Sequence, residues 1–276
     1  MQIQCVVMPA GSIMPTKQRP RSVIRLEGLY RKLLLRYLHE KRELILVTEY
    51  PKSGASWLCQ LLAQYAEMDF PRQKFPSKRQ SVMHGHYLME GKVRGPTVVF
   101  WRDPRDIMIS WYFHCLYKTD KNNHKQVEFV QNTLGFKDIA DIKSNLGRFI
   151  SYSFNESNSP RFNLNHFYDS WGIRNDVVHS SYEALVDDPI NELLRVCDEL
   201  KLDNKSQLEV DEIVKANSFS AQAKRSPGEQ NKASYLRKGV VGDWENHFTN
   251  ESLSILEDCM EGRLEKFPRL LDKKSY

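Results

Sequence analysis

Three short segments of the chain carry residue types that suit anion binding. The first, EYPKSGASWL, follows an apolar run (43–49) and precedes a helical pattern, which is typical of a turn between a strand and a helix. Backbone N–H groups converge in such a turn, and the helix N-terminus adds partial positive charge. Lys52 supplies a full charge, Ser53 and Ser56 supply hydroxyl donors, and Gly54 allows close backbone approach. The turn is shorter than the G-x-x-x-x-G-K-[ST] loop, so it suits one phosphate group and not a triphosphate.

The second and third segments add further cationic groups. WRDPRDIMIS places Arg102 directly after a predicted strand, and Ser110 follows eight residues later in a predicted helix. An Arg fork and a hydroxyl in those positions suit a second phosphate. YLRKGVVGDWENHF contributes Arg237, Lys238 and the backbone of Gly239. Taken singly, the three segments have ordinary alternatives, which are a plain turn with a solvated lysine, a surface Arg–Asp pair and a basic surface loop.

Strand and helix patterns alternate along the rest of the chain. The predicted strands are 43–49, 81–88, 96–101 and 176–181, and the predicted helices are 22–42, two that end near residues 67 and 117, 189–202 and about 250–267. The polar stretch 118–148 is expected to be mobile surface, and 220–239 a long loop of the kind that often forms an active-site lid. The alternation predicts an α/β fold in which helices cover both faces of a central parallel sheet. We expect one domain over 1–276, with a loosely ordered segment at 1–20 and ligands at the carboxyl ends of the strands.

Bulk composition narrows the function classes. There are 40 basic and 35 acidic side chains among 276 residues, and this small excess is weaker than that of a typical nucleic-acid-binding protein. No run of 18 apolar residues predicts a membrane span, and no signal peptide is recognised. The five cysteines lie far apart without a C-x-x-C pair, which indicates a reducing compartment. We therefore expect a cytoplasmic protein with neither a nucleic-acid partner nor a membrane partner.

In this order and spacing, the three segments resemble the cytosolic-type sulfotransferases that use 3′-phosphoadenosine 5′-phosphosulfate (PAPS). Residues 50–57 match the family's 5′-phosphosulfate loop, Y-P-K-S-G-[TS]-[TS]-W, with Ala55 in one Thr position. Arg102 and Ser110 match the family's 3′-phosphate pair. Residues 237–245 match its late loop, R-K-G-x-x-G-D-W-K, up to the last position. The resemblance implies the P-loop-like sulfotransferase fold, with PAPS as co-substrate, PAP as product and no metal.

The resemblance also implies where the adenine lies. SYEALVDDP resembles the family's Y-E-[DE]-[ML]-x-x-[DN]-P, whose Tyr contacts the base, and this Tyr is Tyr182 here. Trp57 and Phe219 stand where the family sandwiches the adenine ring. The implied nucleotide site is Lys52, Ser53, Gly54, Ala55, Ser56, Trp57, Arg102, Ser110, Tyr182, Phe219, Arg237, Lys238 and Gly239.

The implied reaction is in-line transfer of a sulfuryl group from PAPS to a hydroxyl or nitrogen of a small-molecule acceptor, with a histidine as base. Lys52 would stabilise charge on the bridging oxygen as PAP departs. The family's base lies in K-T-H-L-P, and VMHGHYL (82–88) occupies that place here. Alignment assigns the base to His86 and puts His84 in place of the family's lysine, facing the sulfonate. A shift of register would instead make His84 the base.

Three departures from the family pattern have expected consequences. With His84 in place of lysine, the charge near the sulfonate depends on pH. Glu245 in place of the last lysine of the late loop is expected to weaken the phosphate grip. The family's dimer motif corresponds to ENHFTNESLS (245–254), in which only Thr249 matches, so the oligomeric state stays open.

The acceptor is the least constrained part of the prediction. The regions expected to shape its pocket mix aromatic with charged residues, which favours a polar or cationic small molecule over a phenol or steroid. The chain looks more like a bacterial enzyme that modifies a natural product, such as an alkaloid toxin of the saxitoxin type, than like the Golgi enzymes that sulfate glycans, although no specific residue carries this step. Two alternatives stay open, a P-loop small-molecule kinase and a non-catalytic relative that binds PAP or another nucleotide.

Overall fold

The computed structural model describes residues 21–72, 74, 80–89, 91–119, 122, 124–155 and 162–268, so the segment 1–20 that was expected to be loosely ordered lies outside the described residues. The strands are β1 (Leu44–Glu49), β2 (Ser81–Gly85), β3 (Thr97–Trp101) and β4 (Val178–Ser181). The helices are α1 (Arg21–Tyr37), α2 (Ala55–Tyr65), α3 (Pro104–Leu116), α4 (His124–Leu134), α5 (Ile142–Ser153), α6 (Leu164–Trp171), α7 (Tyr182–Asp187), α8 (Pro189–Glu199), α9 (Gln207–Ala216), α10 (Phe219–Ala223) and α11 (Asn250–Met260).

The described strands form one parallel sheet in the order β2-β1-β3-β4. In its central strand, Val47 lies opposite His84 of β2 on one side and Val98 of β3 on the other. All six residues of β1 are buried. A parallel strand covered on both faces is apolar without alternation, and this explains the run LILV.

Helices cover both faces of the sheet, which confirms the predicted fold class. Along β3, Val99 and Trp101 point into a cluster built with α3, α5, α6 and α11. Val98 and Phe100 point the other way, into a cluster with α2, α8 and α9. A third, smaller cluster joins α1 to the edge of the sheet through Leu34 and other apolar side chains.

The strand order places the candidate site. After β1 the chain crosses to β2 on one side, and it then returns to β3 on the other side of β1. Connections that leave neighbouring strands in opposite directions open a crevice at the carboxyl ends of those strands. The segment that starts at Tyr50 follows β1 and Arg102 follows β3, so both anion-binding turns border this crevice.

Local sequence signals explain where the flanking helices begin. The Asp103 side chain caps α3 by accepting from the N–H of Arg105 at 2.8 Å, and Pro104 occupies the first helical position. Asp188 and Pro189 repeat this arrangement at the start of α8. None of the helices in the described part of the chain combines the length and the apolar character needed to cross a bilayer.

The described residues of 118–148 are not all at the surface as expected. Helix α4 and most of α5 lie there, and Val127, Val130 and Leu146 are buried. Charged and polar residues on the outer faces dilute the narrow apolar stripes of these helices, which hides them in the sequence. The predicted loop at 220–239 is mostly irregular, although α10 occupies its start. Hydrogen bonds of 2.9 Å from the Gly228 N–H to the Lys238 carbonyl and from Asn231 to Arg237 fold this loop back on itself.

The substitution Leu146→Ala tests this packing. Leu146 is fully buried, so its truncation should lower the free energy of unfolding by about 2–5 kcal/mol, through lost burial and the cavity left behind. Urea denaturation followed by circular dichroism measures the change. Leu208→Ala is the matched control, because Leu208 is 79 % exposed, and its effect should stay within about 0.5 kcal/mol. A similarly small effect at Leu146 would mean that α5 does not pack into the core.

Candidate active site

A cavity of about 350 Å³ lies at the carboxyl ends of β1 and β3. Its size falls within the range of small-ligand sites, which is roughly 300–1,000 Å³. Eleven of the predicted site residues line it, namely Lys52, Gly54, Ser56, Trp57, Arg102, Ser110, Tyr182, Phe219, Arg237, Lys238 and Gly239. Segments far apart in the sequence therefore meet around one space.

Hydrogen bonds within the turn after β1 fix its conformation beside this cavity. Gly54 has a φ of 99°, and a Cβ atom there would lie 2.9 Å from the ring of Tyr182, so both backbone conformation and space require glycine. Ser53 is buried, and its hydroxyl donates to the Tyr50 carbonyl at 2.8 Å. Ser53 therefore closes the turn. The N–H of Ala55 donates to Glu49 Oε2 at 2.7 Å, so this predicted binding residue is also occupied within the protein.

Lys52 is the central cation of the cavity. Its ammonium lies 3.9 Å from the centroid of the Tyr235 ring, a cation–π distance. Burial lowers the pKa of Lys52 to about 8; the charge of Glu49 opposes this shift and that of Arg102 reinforces it. Lys52 therefore stays mostly protonated at neutral pH and loses its proton as the pH rises through about 8.

Arg102 links the two turns. Its guanidinium donates to the carbonyls of Lys52 and Val240, each at 3.3 Å, and lies 4.3 Å from the centroid of the Tyr182 ring. It also forms an ion pair with Asp106 at 3.9 Å. Arg102 is thereby fixed at the end of β3, facing the helix that carries Ser110.

Acidic side chains hold the late loop in place. Asp243 forms ion pairs with Arg237 and with Lys238. Asp106 accepts from the N–H groups of Gly242 at 2.8 Å and Trp244 at 3.0 Å, which ties the loop to α3. Burial opposes ionisation of Asp243, but hydrogen bonds from its cationic neighbours outweigh it and hold the pKa of Asp243 well below its usual range. These contacts fix the position of the loop cations.

The aromatic residues predicted for the base of the nucleotide also meet in the cavity. The rings of Trp57 and Tyr182 pack edge to face, with centroids 6.1 Å apart. Phe219 packs against Gly239, whose φ is 68° and where a Cβ atom would lie 2.3 Å from the Phe219 ring. Glycine at this position lets the loop backbone approach the aromatic side chain.

Three residues that line the cavity each have a buried donor without a partner among the described residues. These atoms are Trp57 Nε1, Arg102 Nε and Arg237 Nη1. An unmet buried donor typically destabilises a protein by about 1–3 kcal/mol, and more when it is charged. Two unpaired guanidinium N–H groups in one cavity suit an anionic ligand with several acceptor oxygens.

The two predicted catalytic histidines lie beside the cavity and share Glu49 as a partner. His84 Nε2 lies 2.9 Å from Glu49 Oε1, and His86 Nδ1 lies 3.0 Å from the Glu49 carbonyl oxygen. A carbonyl only accepts, so His86 carries its proton on Nδ1 and leaves Nε2 as a lone pair. Burial lowers the pKa of His86, with the Glu49 charge opposing, so its ring is neutral at neutral pH.

Glu49 is ionised despite its burial. Burial alone would raise the pKa of Glu49, but the hydrogen bond with His84 outweighs it and lowers that pKa. Ligand atoms of Glu49, His84 and His86 lie within 4.8 Å of one another, so the described residues include a possible metal-ligand set. Hydrogen bonds to His84 and Ala55 already occupy both carboxylate oxygens, and the charge of Lys52 acts on His86 nearby. We interpret the group as a hydrogen-bonded cluster.

Several residues of the site were not identified from the sequence. Asp106 lies in RDPRD and Asp243 in GDW, both within the segments quoted above. An acidic residue next to a predicted cationic loop indicates a partner for the loop cations, so the sequence could have identified both. Tyr235 precedes the late loop by two residues and covers Lys52. Glu49 is not part of the family's loop motif. Only the pairing of β1 with β2 shows that its carboxylate contacts His84.

Glu245 and Thr249 lie at the two positions near the late loop that were compared with the family pattern. Glu245 is exposed and lies in the short 3-10 turn Asp243–Asn246. Thr249 caps α11, because its side chain accepts from the Ser252 N–H at 3.2 Å. This single match to the dimer motif therefore has a role within the chain.

Comparison with known proteins identifies the family. The model of the sulfotransferase domain matches residues 86–268, more than half of the 276-residue chain. Sulfotransferase 2A6 of Mus musculus is 24% identical over 265 residues, which cover 83% of this chain and 86% of that protein. The amine sulfotransferase of Oryctolagus cuniculus is 22% identical over 268 residues, 81% of either chain.

Solved structures share the fold. Mouse sulfotransferase SULT7A1, complexed with PAP, aligns with a TM-score of 0.58 at 18% identity, over 82% of this chain and 89% of that chain. Retinol dehydratase in complex with androsterone and inactive cofactor PAP aligns with a TM-score of 0.51 at 15% identity, over 87% and 86% of the two chains. The chain therefore belongs to the sulfotransferase domain family, which confirms the family and the PAPS-dependent sulfotransferase activity predicted from its motifs.

Proposed function

We propose that this enzyme moves the sulfuryl group of PAPS to a hydroxyl or nitrogen of a polar small molecule and releases PAP, with no metal ion. The observation that carries the proposal is the group of buried, unpartnered donors of Arg102, Arg237 and Trp57 in a cavity that Lys52 also lines. A polyanion with an aromatic base supplies acceptors for these donors and a ring for the neighbouring aromatic side chains. Family membership does not favour the kinase alternative.

Two groups of residues divide the binding of the nucleotide. Lys52, Ser56 and the start of α2 hold the 5′-phosphosulfate end, because a cation, a hydroxyl and a helix N-terminus coincide there. Arg102, Ser110 and the late loop hold the 3′-phosphate end. Trp57 and Phe219 flank the adenine.

His86 acts as the base on the acceptor. Its Nδ1–H donates to the Glu49 carbonyl, which fixes the ring and leaves Nε2 free to take a proton. His84 Nε2 is engaged by the Glu49 carboxylate and His84 is 6 % exposed, so it is the less accessible of the pair. His84 therefore contacts the transferred group or positions its neighbours, while His86 accepts the proton.

Lys52 stabilises the oxygen that bears the developing negative charge during transfer. An ammonium already fixed beside the reacting atoms stabilises that charge more than a mobile ammonium does in solution. Arg102 and Arg237 lie close enough to lower the pKa of Lys52, so the cavity is strongly cationic without ligand. The positive charge of these side chains stabilises the negative charge that accumulates on the departing PAP.

Other features of the enzyme are proposed on the sequence alone. They are one domain over 1–276, a cytoplasmic location, a polar or cationic acceptor and a role in natural-product modification of the saxitoxin-modifying kind. Phe70, Tyr87 and Phe154 are among the aromatic residues in the regions expected to shape the acceptor pocket. Phe75, from the same set, lies outside the described residues. Because Thr249 caps a helix within the chain, we expect no dimer contact at the position of the family's dimer motif.

Ligand-induced thermal stabilisation tests the nucleotide site first. PAP should raise the melting temperature by mass action, and ATP with magnesium should raise it less or not at all. Sulfuryl transfer from PAPS to acceptors found by screening should continue in the presence of EDTA. Stabilisation by ATP with magnesium alone would overturn the proposal, and PAP binding without turnover across a broad acceptor panel would favour a non-catalytic relative.

The pH dependence of PAP binding tests Lys52. Because the pKa of Lys52 is lowered to about 8, its ammonium is present below that pH and is lost as the pH rises through it. The Kd for PAP should therefore increase above about pH 8, by at most about tenfold per pH unit, in calorimetric titrations. Lys52→Met should bind PAP more weakly and with a nearly flat profile. Parallel profiles for both proteins would assign the titration to another group.

Paired histidine substitutions test which side chain is the base. His86→Ala should lower the turnover number by about 10²–10⁴-fold, because a positioned base contributes that much, while the Kd for PAP changes little. His84→Ala should retain more activity. The lowered pKa of His86 also predicts that wild-type activity persists below pH 6.5, since its neutral ring survives there. If His84→Ala were the inactive variant and His86→Ala the active one, the base would be His84.

A further inference from the structure

The outward face of α1 carries a continuous apolar stripe. Its members are 36–61 % exposed, and they are Leu26, Leu29, Tyr30, Leu33 and Tyr37. At about 100° per residue, these five positions fall within an arc of roughly 100° on one side of the helix. Surface leucines are ordinary when scattered, but a contiguous exposed stripe of five marks an interaction surface.

The opposite face of α1 is already packed on the protein. Leu34 and Leu35 are buried in one cluster with Leu44 and Leu46 of β1 and Met83 of the edge strand β2. Arg31 is also buried, and its guanidinium donates to the backbone carbonyls of Arg72 and His84. The helix is therefore anchored, and the stripe is a second apolar face beyond the one that folding uses.

Charges along the helix are arranged in one row. Arg25, Lys32 and Arg36 are exposed, and helical spacing places them side by side along one edge of the stripe. Glu27 is the one acidic residue in the α1 sequence, and it is 5 % exposed. The exposed charges among the described side chains of α1 are thus all basic, whereas an ordinary solvated helix face carries both signs.

We propose that this face of α1 docks on the surface of an anionic lipid bilayer. An apolar stripe of leucines beside a basic row is the pattern of helices that lie in the membrane interface. The leucines would enter the acyl boundary, the two tyrosines would lie at headgroup depth, and Arg25, Lys32 and Arg36 would contact lipid phosphates. A second copy of the chain fits less well, because its α1 would offer the basic row no exposed acidic side chain.

This surface was not visible in the sequence. The sequence predicts no membrane partner because no apolar run is long enough to span a bilayer, but a helix that lies on the surface needs no such run. In the segment YRKLLLRYL, Leu33 is exposed whereas Leu34 and Leu35 are buried. Only the packing of α1 on the sheet separates these neighbours.

Vesicle sedimentation with the full-length chain tests the proposal. The protein should pellet with vesicles that contain phosphatidylglycerol, bind vesicles of phosphatidylcholine alone much more weakly, and detach as salt is raised. The triple variant R25Q/K32Q/R36Q should lower the partition coefficient about 100-fold, since each basic residue near an anionic surface contributes about fivefold. The double variant L29S/L33S should lower it roughly tenfold for each leucine.

Matched controls separate the surface from general charge and hydrophobicity. The triple variant K137Q/K143Q/K201Q removes the same charge from exposed positions elsewhere, and I173S/L208S removes exposed apolar side chains elsewhere, so both should bind like wild type. All variants should keep the wild-type melting temperature and its increase with PAP, which shows that they are folded. The proposal is wrong if anionic vesicles bind no better than neutral ones or if the controls lose binding equally. A concentration-dependent dimer in ultracentrifugation that L29S/L33S dissociates, without lipid binding, would assign the face to self-association.

Discussion

One buried carboxylate connects the two halves of the candidate site. Glu49 ends the central strand, where one of its oxygens accepts from the first N–H of α2 and the other bonds to His84 on the neighbouring strand. The same residue offers its backbone carbonyl to His86. The orientation of the phosphosulfate turn and the orientation of the histidine pair therefore depend on one side chain. A glutamine here would offer one acceptor oxygen to two donors, the Ala55 N–H and the His84 Nε2–H, and would leave one of them buried and unpaired, so this position couples binding to catalysis.

The electrostatic design follows from that connection. Lys52, Arg102, Arg237 and Lys238 are brought into one cavity, where each would repel the others. Asp243 neutralises part of this charge from behind the late loop, and Asp106 fixes that loop through backbone bonds without entering the cavity lining. The acids thus hold the cations in position while Arg102 Nε and Arg237 Nη1 keep no partner among the described residues. Such preorganised donors need no rearrangement when negative charge develops on a bound nucleotide.

The sequence was informative where a local rule decides structure. Turns with glycine at positive φ, a proline after a capping aspartate and buried parallel strands all have short-range signals, and these located the phosphate turn, α3 and the sheet. It was less informative where packing decides. Helices α4 and α5 were missed because their apolar stripes are narrow, and Glu49 was missed because its partner lies 35 positions away on another strand. At Ser53 and Ala55 the structure adds what the motif does not reveal, since the motif predicts contacts with the ligand and their polar groups also form hydrogen bonds that close the turn.

Lys52 shows why the protein keeps an unfavourable arrangement at its centre. It adopts a φ of 77°, a left-handed conformation that a residue with a side chain rarely takes and that costs on the order of 1–2 kcal/mol. Its ammonium is also buried beside two arginines, which weakens its hold on a proton. Folding alone gains nothing from either feature, because a solvated lysine in a relaxed turn would be more stable. Both become useful once an anion lies in the cavity, since the strained turn aims the side chain and the anion restores the favourable charge. The strain and the lowered pKa therefore indicate that this turn was selected for the bound state of the protein and not for the stability of the free one.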